Sequence, residues 1–269
     1  MRFANPFSDL YRHRDLVVQF TRRELEARHR GSHLGHLWSI LKPLTLLGLY
    51  VFIFGFIFGG KFGVIPHETT FDFTLGIFMG LSLFNVIAEA MGAAPLLIVS
   101  QPNFVKRVVF PLDVIPFSSV TTSLYHSLLS VALLLIAASF SHEGVDWLGA
   151  LALPLLILPL FFMALAVAWG FAALGVFVRD INQLVPLLST GVMYASAIVY
   201  SPEKVPPAIY AVLKYNPLLQ VVAQARRIVL WHLPPNYGAL EYAYAASIVM
   251  LAIGYGLFAV LRPYFAEVI

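Results

Sequence analysis

Cysteine is absent from the 269 residues. That gap removes disulfides, thiolate zinc sites, iron–sulfur clusters and thiol nucleophiles together. Charge is also scarce: Asp, Glu, Lys and Arg make up 12% of the chain, against about 25% in a soluble domain. It is uneven as well, with 11 of the 31 charged residues in the first 30 positions. Apolar residues take its place, at 59%, and mean hydropathy is +0.82. The long remainder cannot hide that surface in one soluble core, and lipid is its natural solvent. A secreted disulfide scaffold, a disordered chain and a cytosolic enzyme are excluded. An all-α polytopic membrane protein is expected.

A spanning helix needs about 20 apolar residues. Six segments qualify: 37–58, 73–99, 114–140, 148–178, 181–200 and 240–261. No clear internal repeat argues for an inverted-repeat carrier. With the N-terminus on the cytoplasmic side, twelve Lys and Arg fall inside and five fall outside. This positive-inside bias puts both termini in the cytoplasm. Trp38, Trp147 and Trp231 fall near expected span ends, where an amphipathic ring is favoured. The pI near 9.1 comes from a net charge of only +3, with the basic residues clustered beside the first apolar segment. Topology and anionic lipid account for them, and nucleic acid is not an expected partner. The polar start, with both signs of charge, does not read as a cleavable signal peptide.

Between the fifth and sixth segments, 201–239 is too apolar for a solvated loop. Two short half-apolar stretches separated by Asn216-Pro217 suggest re-entrant outer helices. At the other end of the chain, 8–31 has amphipathic character. Arg12, Asp15, Gln19, Arg22, Arg23 and Glu26 gather on one stripe, with Leu10, Val17, Phe20 and Leu25 mostly opposite. A basic amphipathic helix beside a span lies in the membrane interface. Leu10, Arg22, Arg23, Arg28 and Arg30 are its candidate gate residues.

Several motifs are weighed against plainer readings. Gly55 to Lys61 nearly matches a phosphate-binding loop but lacks the Mg²⁺-binding Ser/Thr and ends an apolar run. The chain is therefore not expected to hydrolyse ATP. His29, His33 and His36 have no acid in their cluster and read as interface histidines, so no metal site is expected. Glu89 lies inside the second segment, where a carboxylate is costly and is a functional candidate by default. Tyr50, Phe54 and Phe58 recur at i, i+4 and i+8. They read either as a packing stripe or, with Tyr194 and Tyr200, as channel lining for a sugar polymer. The inside loop 101–111 is short, basic and bracketed by Pro102 and Pro111. Gln101, Pro102, Asn103, Phe104, Lys106 and Arg107 would dock a soluble partner, with Phe104 as an exposed apolar knob.

Longer stretches carry a resemblance. Arg22 to Trp38 followed by Pro43, Asn103 to Pro111, Val178-Arg179-Asp180-Ile181, Ser196 to Pro202 and Asn216-Pro217-Leu218 occur in order along the chain. Together they resemble the ABC-2-type polysaccharide export permeases, the membrane subunits of O-antigen, capsule and teichoic acid exporters. The family often has Tyr where His29 stands and Ile at the position of Ala197 or Ile198. The resemblance implies a homodimer in the bacterial inner membrane, driven by two separate ATP-binding subunits that hold the ATP and Mg²⁺. No cofactor is expected in this chain. It also implies that 101–111 is the coupling helix, that 8–31 gates a lateral opening, and that the substrate is a lipid-linked glycan, such as one carried on undecaprenyl diphosphate. The alternative is an ABC-2 permease for a small lipid or drug. An intramembrane transferase would need clustered acids or a His/Asp set, and an ion-coupled carrier more buried charge than Glu89.

Overall fold

The computed structural model describes residues 6–28, 32, 34–106, 110–202 and 205–269. Among the described residues the regular structure is helical, without strands. Helices α1 (Pro6–Arg12) and α2 (Arg14–Ala27) open the chain. The single helix expected over 8–31 is divided at His13, whose backbone (φ −106, ψ 28) leaves the helical region. Arg30, His29, His33 and the His36 side chain lie outside the described residues.

After a 3₁₀ turn, α3 (Trp38–Tyr50) continues as a π-helical segment, Val51–Ile57. Phe58 N donates five residues back, to the Ile53 carbonyl at 3.0 Å. Helix α4 (Thr70–Leu97) starts at a capping box in which Thr69 and Asp72 satisfy each other's backbone N–H groups. The short α5 (Pro102–Lys106) and the long α6 (Val114–Ala138) follow.

Where the apolar pattern suggests one span over 148–178, the structure has two helices, α7 (Trp147–Leu151) and α8 (Leu153–Phe177). Asp146 starts α7 by accepting from Gly149 N at 3.0 Å. Pro154, which lacks an N–H, sits at the first turn of α8, where that loss is tolerated. Then come α9 (Ile181–Ala195), α10 (Pro207–Leu213), α11 (Pro217–Val229) and α12 (Tyr237–Leu261). A 3₁₀ turn leads into the final α13 (Phe265–Val268).

Among the described residues, five stretches are long and apolar enough to cross a membrane: Trp38–Ile57, Thr70–Leu97, Val114–Ala138, Leu153–Phe177 and Tyr237–Val268. The expected span over 181–200 is not among them, because α9 has 15 residues, about 22 Å of helix. It stops where Ala197 takes a φ of +49, a left-handed value that costs a residue with a Cβ.

Helix α8 is the centre of the bundle, packed against α4 on one side and α12 on the other. Small residues allow this closeness, as is usual between membrane helices. A Cβ on Gly254 of α12 would lie 2.1 Å from the Ala166 carbonyl of α8. Chain alternation gives the bundle two ends. One carries α5, the start of α6 and the end of α12; the other carries α7, α11 and the start of α4. In contrast, the π-helical continuation of α3 and helix α9 turn large apolar side chains outward, among them Phe52, Phe56, Leu184 and Leu187.

Candidate functional site

At the α5 end, Pro102, Asn103 and Lys106 are exposed and Gln101 is half-buried, while Arg107 lies outside the described residues. Phe104 is not the exposed knob suggested by its loop. Its ring packs 5.6 Å from Phe20 of α2 and 4.7 Å from Phe110, and Phe20 lies 5.2 Å from Phe110. Two bracketing segments of the loop fold over one ring of α2, which turns the apolar side of α5 inward and leaves its polar side free. The Ser118 hydroxyl of α6 approaches the Val17 carbonyl of α2 at 3.4 Å. Helices α2 and α5 are therefore joined by an aromatic cluster, and α2 is seated on α6.

The gate candidates on α2 and α1 divide by role. Leu10 is buried in the main core. Arg22 pairs with Glu26 on the solvent side at 2.9 Å, and the Arg23 guanidinium lies over Phe20. Arg28 reaches across to α4, where its Nη1 donates to Glu89 Oε2 at 2.8 Å. Glu89 is thus not an isolated intramembrane acid. Glu24, which residue periodicity did not single out, turns toward α6. Burial holds its carboxyl above the usual range and the Glu89 charge adds to this, while the Ser119 hydroxyl and the Arg28 and Arg23 charges pull it down. A raised pKa in the seated state means that Glu24 favours seating when protonated. That contribution is complete below the ordinary carboxylate range and is lost as pH rises through the raised value.

Glu89→Gln tests the Arg28 contact. Both side chains keep about a third of their surface, 31% and 36%, so the pair is worth about 1 kcal/mol at most and global stability should barely change. A lone cysteine at Thr21, whose hydroxyl is buried, should react with a thiol reagent severalfold faster in the variant because α2 lifts more often. An unchanged labelling rate would mean that Arg28 does not hold α2 down.

The aromatic candidates form two groups. Tyr50, Phe54 and Phe58 run in a row from the end of α3 along its π-helical continuation, with centroids 6.0 and 5.9 Å apart, and Phe54 also meets Phe73 of α4 edge-on. Tyr200 donates its hydroxyl to the Tyr194 carbonyl at 2.5 Å, so these two mark the end of α9.

The most elaborate polar site lies at the α11 end, on a residue that charge counting had treated as an ordinary outside cation. Arg226 is 2% exposed. Its Nε donates to the Gly76 carbonyl at 2.8 Å, Nη1 to Ala197 at 3.0 Å and Nη2 to Ile198 at 2.5 Å. The guanidinium carbon lies 4.6 Å over the Phe62 ring, and Phe62 meets Trp231 at 5.6 Å. Trp231 therefore packs within the protein instead of simply marking an interface. Buried Glu68 fixes the Phe62 loop by accepting from Phe62 N at 2.9 Å and Gly63 N at 2.6 Å. Asn216 adds to the same junction, donating to the Ala195 carbonyl at 3.1 Å. The carbonyls released at the end of α9 are thus taken up by α11. A sequence signal existed: Gly76 and Gly80, four apart on α4. A Cβ at Gly76 would lie 2.6 Å from Phe62, and one at Gly80 would lie 2.5 Å from Arg226. The pair makes a slot for two side chains instead of a helix contact.

Comparison with known proteins fits this architecture. A family model described as ABC-2 type transporter matches residues 15–230. Over 261 residues the chain is 28% identical to the O-antigen export system permease protein RfbA of Myxococcus xanthus, covering 96% of this chain and 97% of the relative. A protein of the same name from Klebsiella pneumoniae is 26% identical over 257 residues, with 95% of each chain covered. The polysialic acid transport protein KpsM of Escherichia coli is 26% identical over 245 residues, covering 88% of this chain and 89% of the relative. The family model takes in nearly all of α2 and every element from α3 through α11, so this multi-pass membrane protein belongs to the ABC-2 type transporter family.

Proposed function

We propose that this chain is the membrane-spanning permease of an ATP-driven exporter that moves a lipid-linked, O-antigen-like polysaccharide from the cytoplasm to the outer face of the bacterial inner membrane. The near full-length similarity to O-antigen and polysialic acid export proteins carries this reading. The chain acts as a homodimer, with the exposed apolar faces of α3 and α9 turned to its second copy and to lipid. Two separate ATP-binding subunits, which hold the ATP and Mg²⁺, dock on the polar side of α5. Both termini are cytoplasmic, α9 serves as the fifth crossing, and α10 and α11 form a re-entrant exit. The substrate carrier is an undecaprenyl diphosphate or a chemically similar polyprenyl lipid.

In this mechanism, closure of the ATP-binding subunits displaces α5. The Phe20–Phe104–Phe110 cluster passes that displacement to α2, and the Arg28–Glu89 contact yields at a lateral opening. Nucleotide binding biases the channel only through its difference in affinity between the seated and lifted states.

Deleting the gene in the native host tests the proposal. Lipid-linked polymer is expected to build up in the cytoplasm while surface glycan disappears. If both pools stay unchanged, the polysaccharide assignment fails, and export of a small lipid or drug becomes the working reading.

A further inference from the structure

A cavity of about 560 Å³ at the α11 end belongs to neither the α5 surface nor the Arg226 knot. Its size is typical of small-molecule sites, which run from about 300 to 1,000 Å³. Leu155 and Leu156 of α8 and Leu240 of α12 form an aliphatic floor, while Asp146, Gln224 and His232 supply polar groups to the lining.

Three observations identify the kind of occupant. The first is depth. The cavity opens beside the first turns of α8 and α12. The adjoining α7 leaves Trp147, Leu148 and Leu151 at 61%, 81% and 77% exposure. An uncovered apolar turn led by tryptophan belongs at the lipid–water boundary, where the available ligands are amphiphiles.

The second is that the polar groups are held in place. Gln224 is 4% exposed, and its Oε1 accepts from Asn236 N at 2.8 Å. Asp146 is fixed through Oδ1 to Gly149 N and through its own N–H to the Val229 carbonyl at 3.1 Å. Gly149 allows that fit, since a Cβ there would lie 1.8 Å from the Ile228 carbonyl.

The third is charge. Asp146 puts a carboxylate in the wall. Arg227, just outside the lining, donates from Nε to the carbonyl of Pro234, which is a lining residue, and this holds a guanidinium beside the cavity. His232, itself a lining residue, has a φ of +51, a strained value of the kind that clusters at binding sites. A carboxylate in the wall, a guanidinium held beside it and an aliphatic floor match a zwitterion with a hydrocarbon tail. A free sugar would leave the floor wet, and a bare acyl chain would leave the polar lining unused.

We propose that this cavity binds one zwitterionic membrane lipid of the leaflet at the α11 end, with its hydrocarbon on the Leu155–Leu156–Leu240 floor and its ammonium at Asp146. The site is independent of what the protein exports, so its test and the gene-deletion test fail separately.

The test uses the full-length protein in nanodiscs of mixed phosphatidylethanolamine and phosphatidylglycerol, with retained lipid identified by native mass spectrometry. Wild type should retain one phosphatidylethanolamine with at least tenfold preference. Asp146→Asn keeps the helix cap, since Asn and Asp cap equally well, but removes the charge, and should reduce the preference below threefold. Ala152→Phe fills the cavity and should lower retention of both lipids. If its thermal midpoint shows unfolding, Asp146→Asn alone decides. Equal retention of the two lipids by wild type, no retained lipid, an unchanged preference in Asp146→Asn, or displacement of the lipid by a soluble oligosaccharide would each overturn the proposal.

Discussion

Arg226→Ala should be the most damaging single substitution in the α11 end. It orphans three buried carbonyls, those of Gly76, Ala197 and Ile198, each costing about 1–3 kcal/mol, and it opens a void beside Phe62. A loss of about 3–5 kcal/mol is expected, a large part of the ~5–15 kcal/mol that holds a typical domain together. The readouts are the thermal midpoint of the detergent-solubilised protein and the fraction eluting as one sharp species. Arg226→Lys should fall between wild type and alanine, because an ammonium cannot reproduce the planar fork that spans α4 and the end of α9. An alanine variant that melts like wild type would show that the three contacts do not clamp α11 to α4 and the end of α9.

Lys106→Glu should have the largest effect on function with little effect on folding. The residue is exposed on α5 and reverses charge on the proposed docking face without touching the aromatic cluster. A change of about 1.4 kcal/mol in docking corresponds to tenfold in affinity, so export should drop by about that factor. The chain should stay folded in the membrane, and the ATP-binding subunits should keep hydrolysing. Phe104→Ala provides the contrast. It loosens α2 from α5 and should lower stability as well as export, because Phe104 contacts both Phe20 and Phe110. Normal export by Lys106→Glu would remove α5 from the docking surface.

The helical bundle is legible because its apolar runs are long and its boundaries carry local chemistry. Thr69 with Asp72 marks the start of α4, and Asn216-Pro217 separates α10 from α11. Pro154 is a local sign of the division of 148–178, since a residue without an N–H is tolerated at the first turn of a helix. The end of α9 is different. It depends on Arg226, about 30 residues later in the chain, and no window around Ser196 contains that information. The same limit explains Phe104, Glu24 and Glu89. Periodicity assigns each to a face of its own helix, but whether that face meets solvent, a ring or a guanidinium depends on which distant segment arrives there. Arg226 counted as one more outside cation because topology rules weigh charge by position and do not register burial.

The shortness of α9 has a consequence for the bilayer. As the proposed fifth crossing, its length of about 22 Å falls short of a hydrocarbon core of about 30 Å, a deficit that the membrane would absorb by thinning there. Mismatch costs a fraction of a kcal/mol per Å, and here the cost falls on a helix end held by the Arg226 guanidinium and the Asn216 amide. Acyl-chain length thus becomes a mechanical load on the junction of α9 and α11. In such a crossing thick bilayers pull against the Arg226 knot and thin ones relax it, making the surrounding lipid part of a spring at that junction.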